Sequence, residues 1–351
     1  MESRVPTLRE VAAQAGVHPS TASRALNPST EALVNPETKL RILNAADELG
    51  YQANSLARGL KTNTSMTIGM LLPDLMNPLF PPIVRAVEDH LGQAGYTLIL
   101  ANTDDDETKE RSAVVNMLSR RVDGLILATA LRHDPLISEI TQRGTAVVLV
   151  NRATDDQTIS SVTADDDTGM YLIIEHLTEL GHRRIAHVAG PQGVSTGLAR
   201  YQSFLSWTAV RDVHPGPDLI TFASRFGEES GAAAFRDLLG RDTGFTAVVA
   251  ANDLIAIGCY DVMESLGMEV GRDVSVTGYN DMPFADRLSP PLTTVRVPHY
   301  EIGRRAARLM LDILAEPDRT PEAIRLTPTL VVRASTAPPA GSAPERKPSR
   351  T

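Results

Sequence analysis

Between Thr7 and Asn27 the sequence reads as two short helices around a glycine turn, a pattern that leaves a chain few ways to fold. Thr7 stands three residues before Glu10, the spacing at which each side chain can satisfy an orphan amide at a helix start. Leu8, Val11, Ala12 and Ala15 follow at i, i+3, i+4 and i+7, one apolar stripe. Gly16 supplies the left-handed residue that stops the helix. Pro19 opens the second helix, where its missing amide hydrogen costs nothing and its φ is already helical. Ala22 and Leu26 face one way, while Ser20, Ser23, Arg24 and Asn27 face the other. Short polar side chains beside one guanidinium suit a face laid into a major groove, where they can read base edges. An ordinary helical hairpin with a solvated polar face is the alternative that this segment alone leaves open.

Asn35-Pro36-Glu37 then gives a cap, an N1 proline and a first-turn acid, and Ile42, Ala45, Ala46 and Leu49 form the stripe of a third helix. Three small helices can close one core. Beyond Lys61 the pattern changes to continuous apolar runs separated by amphipathic stretches such as Ile83 to Leu91 and Ala113 to Leu118. The runs are Met66–Leu72, Tyr96–Ala101, Val122–Ala128 and Ala146–Val150, then Arg184–Ala189, Ala247–Ala251 and Val274–Gly278. Hydrophobicity that is continuous rather than alternating means strands covered on both faces, hence parallel α/β sheets. A chain of 351 residues is too long for one ordinary core, so two or three domains are expected. The net charge of −9 argues for a local basic surface only. The head is nearly neutral, with seven basic against six acidic side chains through Lys61. One such head binds DNA weakly, and two joined heads gain by effective concentration.

The segment Gly50-Tyr-Gln-Ala-Asn-Ser-Leu-Ala-Arg-Gly-Leu60 resembles the lactose-repressor (LacI/GalR) family of bacterial transcription regulators. The resemblance continues, in order, through Ile68-Gly69, Pro73-Asp74, Asn77-Pro78, Asn102-Thr103, Arg121–Gly124, Glu175–Leu177, Gly181–Ile185, Ala251–Asp253, Pro290–Val295 and Val331–Arg333, to about Pro338. It implies a three-helix head over residues 1–53 and a hinge helix and linker over 54–63. An effector-binding and dimerising domain follows over 64–340, with the two lobes of periplasmic sugar-binding proteins. One lobe takes about 64–164 and 295–324, the other about 165–294 and 325–340, with crossings near Ala164, Val295 and Arg325.

The resemblance implies a homodimer on a roughly palindromic operator. Ser20, Thr21 and Arg24 then read each half-site, and His18 and Pro19 tune specificity. Further DNA contacts are expected at Thr7, Ser23, Asn27, Tyr51, Asn54, Ala57 and Arg58, with Leu60 wedging between base steps in the minor groove. Ala53 stands where the family usually has proline, which predicts a looser hinge. For the effector the resemblance implies contacts at Asp74, Asn77, Leu79, Phe80, Arg152, Thr196, Arg200, Phe226, Asn252, Asp253 and Asn280, with Thr196 and Arg200 in the loop from Gly190 to Tyr201. Arg200 is the foremost of these, while Asn77 and Asn252 equally fit a role as helix caps. Carboxylates, amides and an arginine around Phe80 and Phe226 describe a pocket for a sugar or related polyol. Asn280 replaces the family's usual aspartate, and Leu198 and Ser203 replace its arginine and glycine, so the ligand's identity is open.

Other functions find little support. No dinucleotide or phosphate-binding glycine loop is present, and the resemblance implies no cofactor. His176, His182 and His187 span a helix end, a turn and a strand and read as structural rather than metal ligands. The acidic runs Asp104–Glu107 and Asp165–Asp167 read as helix starts. A solute-binding protein would need an export signal and no reading helix, whereas a regulator sensing a phosphoprotein corepressor stays open. Cys259 is the only cysteine, in an apolar run that reads as core, and no run approaches the ~18 residues of a membrane span, so a cytoplasmic protein is expected. The tail from Ala337, rich in proline and charge, is expected to be disordered, residues 341–351 above all.

Overall fold

The computed structural model describes residues 6–26, 30–51, 64–213 and 215–340. The chain forms two compact units that divide after Ser65. In the first, α1 (Leu8–Gln14), α2 (Pro19–Ala25) and α3 (Pro36–Leu49) close on one core of Val11, Ala12, Ala22, Ala25, Ile42 and Ala45. Two of these helices have seven residues, well under the ~12–15 at which an isolated helix holds, so tertiary packing sustains them. Local chemistry sets the ends. The Thr7–Glu10 capping box forms in both directions, His18 caps α2 and Asn35 caps α3. Gly16 and Gly50 stop helices at φ 65° and 64°, where a side chain would be strained.

The second unit holds two six-stranded sheets among the described residues. The first comprises β1 (Thr67–Leu72), β2 (Thr97–Asn102), β3 (Gly124–Leu127), β4 (Ala146–Val150), β5 (Ser161–Ala164) and β11 (Ala323–Leu326), in the order β11-β5-β4-β3-β1-β2 and parallel throughout. The second comprises β6 (Ile185–Ala189), β7 (Ile220–Phe222), β8 (Ala247–Ala250), β9 (Ser275–Asn280), β10 (Thr293–Arg296) and β12 (Thr329–Val331), in the order β12-β10-β9-β8-β6-β7, antiparallel only between β10 and β12.

Among the described residues eight helices cover these sheets. They are α4 (Phe80–Gln93), α5 (Glu107–Ser119), α6 (Pro135–Gln142), α7 (Asp166–Glu179), α8 (Ser195–Val210), α9 (Glu228–Gly240), α10 (Asp253–Ser265) and α11 (His299–Ala315). The continuous runs alternate between two cores. Met70, Ile126 and Val148 enter one, while Leu71, Leu125 and Val147 enter the other, between the sheet and α5 and α6. This is how a parallel strand covered on both faces loses the alternation of a half-exposed one.

The seven long runs all became strands. The sequence reading passed over β5, β7, β10, β11 and β12, which have three or four residues each and mostly lie at sheet edges. Val295 sits inside β10 of the second sheet and Arg325 inside β11 of the first, so the later crossings fall at 297–298 and 327–328, slightly beyond the expected points. The tail also departs from expectation. Ala337 is anchored, its carbonyl accepting from His182 Nε2 at 2.9 Å and its amide donating to Ser275 Oγ at 3.0 Å. Residues 341–351, like the hinge and linker, lie outside the described residues.

Helices α9 and α10 cross at glycines. A Cβ on Gly258 would lie 2.2 Å from the Glu228 carbonyl oxygen, and one on Gly231 2.7 Å from Ile255 Cα. Gly258→Ala should therefore destabilise the second unit by about 1–3 kcal/mol, as overpacking does. Gly92→Ala, in α4 with open space around it, should stabilise by roughly 0.4–1 kcal/mol. Urea unfolding of the two variants tests the contrast.

Candidate functional site

Helix α2 presents Ser20 and Arg24 to solvent, with Thr21 and Ser23 half-buried and Ala22 and Ala25 sealed in the core. Arg24 forms no ion pair among the described residues. His18 Nδ1 lies 2.7 Å from Ser20 Oγ, so the residue that caps the helix also orients one of its polar groups. Thr7 is held by its capping box with Glu10, and Tyr51 packs on the rim of the head core. Asn27, Asn54, Ala57, Arg58 and Leu60 lie outside the described residues.

In each large sheet the strand order reverses at one strand, at β1 between β2 and β3 and at β6 between β7 and β8. Ligands of open α/β sheets bind beyond the carboxyl ends of strands at such points. A cleft of about 250 Å³ opens there, with walls from both lobes. Asp74, Asn77, Leu79 and Phe80 follow β1, and Arg152 follows β4. Thr196 and Arg200 come from α8, Phe226 precedes α9, Asn252 follows β8, and Asn280 ends β9.

Ten of the eleven effector candidates thus share one cleft. Asp253 does not line it. Its carboxylate is buried behind the wall, accepting from Thr294 Oγ1 at 2.5 Å and the Met282 amide at 2.7 Å. Thr196 and Arg200 belong to the first turns of α8 rather than to a loop. Asn252 caps α10, accepting from the Ile255 amide, whereas Asn77 accepts from the Leu79 amide in the turn ahead of α4 and is not its N-cap; both line the cleft.

The cleft has further walls at Pro73, Asp104, Asp105, Asn151, Arg225 and Gly227. Here the reading of Asp104–Glu107 as a helix start needs correction. Only Asp106 caps α5, accepting from the Thr108 and Lys109 amides, whereas Asp104 and Asp105 sit at φ 55° and 54° and face the cleft. The second acidic run is the helix start it was expected to be, with Asp166 and Asp167 in the first turn of α7, and two of its carboxylates take on tertiary partners as well. Asp165 caps α7, Asp166 accepts from Arg200, and Asp167 accepts from Ser203 and Trp207. Position two or three residues past a strand's carboxyl end was the signal for Asp104 and Asp105.

Two arginines in the cleft carry their own counter-charges. Arg200, 3 % exposed, donates to Asp166 Oδ1 at 2.8 Å and to the Ala251 carbonyl at 2.7 Å, and its guanidinium lies 3.8 Å from the centre of the Tyr279 ring. Arg152 reaches Asp105 at 3.4 Å and the Thr129 carbonyl at 3.2 Å. Asn280 is different. It is 3 % exposed, sits at φ 120°, and its Oδ1 has no hydrogen-bond partner. Phe226 packs against Gly190, where a Cβ would approach the ring to 2.5 Å.

The histidines are structural. His176 meets Thr336, His182 bridges Thr246 and Ala337, and His187 is sealed against Phe204 with Nδ1 on the Val249 carbonyl. No cluster of three metal-ligating side chains occurs among the described residues. Cys259 is fully buried, and burial pushes its thiol well up. No described helix is long and apolar enough to cross a membrane.

A helix-turn-helix head followed by two doubly wound lobes around a polar cleft defines a ligand-sensing DNA-binding regulator. Comparison with known proteins places it further. Residues 7–54 match the bacterial regulatory proteins of the lacI family, and residues 174–336 match the periplasmic binding protein-like domain. The ribose operon repressor of Halalkalibacterium halodurans is 33% identical over 330 residues, 94% of this chain and 97% of that protein. The transcriptional regulator CelR in complex with cellobiose is 31% identical with a TM-score of 0.73, over 94% of this chain and 99% of that one. The lac repressor dimer bound to operator and the anti-inducer ONPF is 27% identical with a TM-score of 0.85, over 95% and 100%. The chain belongs to the lacI family of bacterial regulatory proteins. It is a DNA-binding transcriptional regulator and not an enzyme.

Burial pushes the Asp253 carboxyl up from 3.8 to about 6, against the pull of the Thr294 hydroxyl and the Met282 amide. The folded chain holds this proton to higher pH than the unfolded chain, so its contribution is complete below pH 3.8 and lost as pH rises through about 6. Asp253→Asn replaces the carboxyl with a neutral amide whose oxygen can accept from the Met282 amide while its NH2 group donates to the Thr294 hydroxyl, reversing that bond. Its unfolding free energy, measured with urea, should rise relative to wild type across that window by on the order of 2–3 kcal/mol. Equal pH profiles for the two proteins would refute the assignment.

Proposed function

We propose that this regulator is a cytoplasmic homodimeric repressor whose affinity for a roughly palindromic operator is set by a small neutral carbohydrate or polyol bound in the cleft. The observation that carries the ligand class is the contrast between the arginines and Asn280. Arg152 and Arg200 already have carboxylate partners, and the third arginine of the cleft, Arg225, shares it with Asp74 and Asp104, so the site carries no excess positive charge that would call for an anion. Asn280 Oδ1, buried and unpartnered, calls for a hydroxyl donor. A non-glycine residue at φ 120° is strained, and strain of this kind collects at ligand sites. Phe80 and Phe226 supply the apolar faces on which a sugar ring stacks. The complex of the related CelR with cellobiose is in keeping with this class.

Dimerisation has two supports. The nearly neutral head needs a second copy to bind DNA usefully. Leu75, Met76 and Leu100, on or beside the edge strand β2, are large apolar side chains left exposed. Closure of the lobes on a ligand changes the spacing of the two heads, the route by which cleft and operator are coupled.

Ser20, Thr21 and Arg24 are the proposed base readers. Arg24→Ala should weaken operator binding by about 1–3 kcal/mol per half-site and relax preference at one base pair. Selection of an operator from random DNA, followed by titration, measures both; equal weakening on operator and random DNA would reduce Arg24 to a phosphate contact.

For the effector, thermal-shift screening of carbohydrates followed by operator titration is the direct experiment. A true effector should change operator affinity by roughly 5–150-fold, and operator should change effector affinity by the same factor. A ligand that binds without altering operator affinity would refute the coupling. Phe226→Ala should lower ligand affinity about tenfold, the loss of one stacking face, while operator affinity without ligand stays near wild type. Arg200→Ala is a poorer probe, because it strands the buried Asp166 carboxylate and should cost about 3–5 kcal/mol of stability.

A further inference from the structure

Behind the Arg152 and Phe226 side chains lies a second cavity of about 250 Å³. It shares Asp105, Arg152, Arg225 and Phe226 with the main cleft, so the two adjoin at these residues. The partition is weak. Arg152 holds Asp105 only at 3.4 Å, and the exposed Arg225 forms no ion pair among the described residues. Either cavity alone falls short of the ~300–1,000 Å³ usual for a small-molecule site, and the two together fall within it.

The chamber's chemistry narrows what could fill it. Thr103, Thr129 and Ser224 bring hydroxyls, and the buried Glu110 carboxylate accepts from Thr129. Leu131, Pro191 and Val194 bring apolar surface, as does the face of Phe226. Hydroxyl groups interleaved with aliphatic patches are what the edge and faces of a pyranose ring require. Three carboxyl groups, Asp105, Glu107 and Glu110, stand against two guanidinium groups, Arg152 and Arg225, which disfavours a phosphate or carboxylate substituent. Both lobes contribute walls, with Thr103, Glu110 and Thr129 from the first and Pro191, Val194 and Ser224 from the second. A group seated there joins the lobes beside contacts that already bridge them, Arg132 N to the Gly193 carbonyl at 3.1 Å and the Ala153 amide to Ser195 Oγ at 2.9 Å.

The geometry points to an effector of two linked neutral sugar rings, one in the main cleft and the second in this side chamber. The inference rests on the reading of the main cleft as a carbohydrate site. Gly193 offers a way to test it, since it lines the chamber and a Cβ there meets nothing within 4 Å. Gly193→Leu fills the chamber without backbone strain, and Ser224→Leu does so from the opposite lobe.

Calorimetric titration of the full chain should use glucose, galactose and ribose against cellobiose, maltose, lactose and trehalose. At least one disaccharide should bind roughly tenfold or more tightly than any of the monosaccharides, a gain of one decade in Kd. Either leucine variant should bring that disaccharide down to the affinity of the monosaccharide. A monosaccharide bound as tightly as every disaccharide, or a disaccharide affinity untouched by both variants, overturns the side chamber and leaves the carbohydrate cleft standing. Binding of no sugar of either size overturns both.

Discussion

The buried pair of Arg200 and Asp166 organises the second lobe. Asp166 stands in the first turn of α7, directly after the first crossing between lobes, and Arg200 lies on α8. Their 2.8 Å contact ties these helices together, and the bond from Arg200 to the Ala251 carbonyl adds the carboxyl end of β8. Tyr279 of β9 completes the group beneath the guanidinium, and Gly169 leaves its hydroxyl room, since a Cβ there would lie 2.1 Å away. A guanidinium and a carboxylate removed from water are tolerable only when paired and hydrogen-bonded. Four elements must therefore take up their places together, and the wall of the cleft is a product of that requirement.

The same neutralisation shapes the chemistry of the cleft. Arginines that have spent their charge on Asp166 and Asp105 act as rigid donors and walls rather than as anion traps. What the cleft leaves open is the amide oxygen of Asn280, at the end of the strand that also carries Tyr279. Asp281, next along, accepts from Arg296 and Arg333, each at 2.7 Å. Arg296 ends β10 just before the second crossing and Arg333 follows β12. A contact made at Asn280 thus lies one residue from the ion pairs that brace the crossings. This short covalent path joins the cleft wall at Asn280 to the strand end that leads into the second crossing.

Much of the fold was legible because it follows from local rules. The caps at Thr7, Asn35 and Asp106, the stop at Gly50, and the long runs that became β1 to β4, β6, β8 and β9 depend on neighbours a few residues away. Strands such as β7 and β12 did not announce themselves. With three residues they carry no period, and they exist because an adjoining strand offers unpaired backbone groups.

The candidate site divided along the same line. Asp74, Asn77, Asn252 and Asn280 follow strand ends in sequence, and strand ends are where parallel sheets bind ligands, so a linear reading finds them. Asp253 stands beside Asn252 in sequence, yet the first turn of α10 sends its carboxylate to Thr294, 41 positions away. Asp104 and Asp105 look like helix-capping acids, yet left-handed backbone turns them to the cleft and leaves the cap to Asp106. By itself the sequence determined the longer elements, the polar outer face of α2 and the family, because propensity, capping and periodicity act over a few residues. Only the tertiary structure decided which polar groups spend their hydrogen bonds on one another and which keep one free, because that depends on partners far apart along the chain that meet only once each lobe has folded.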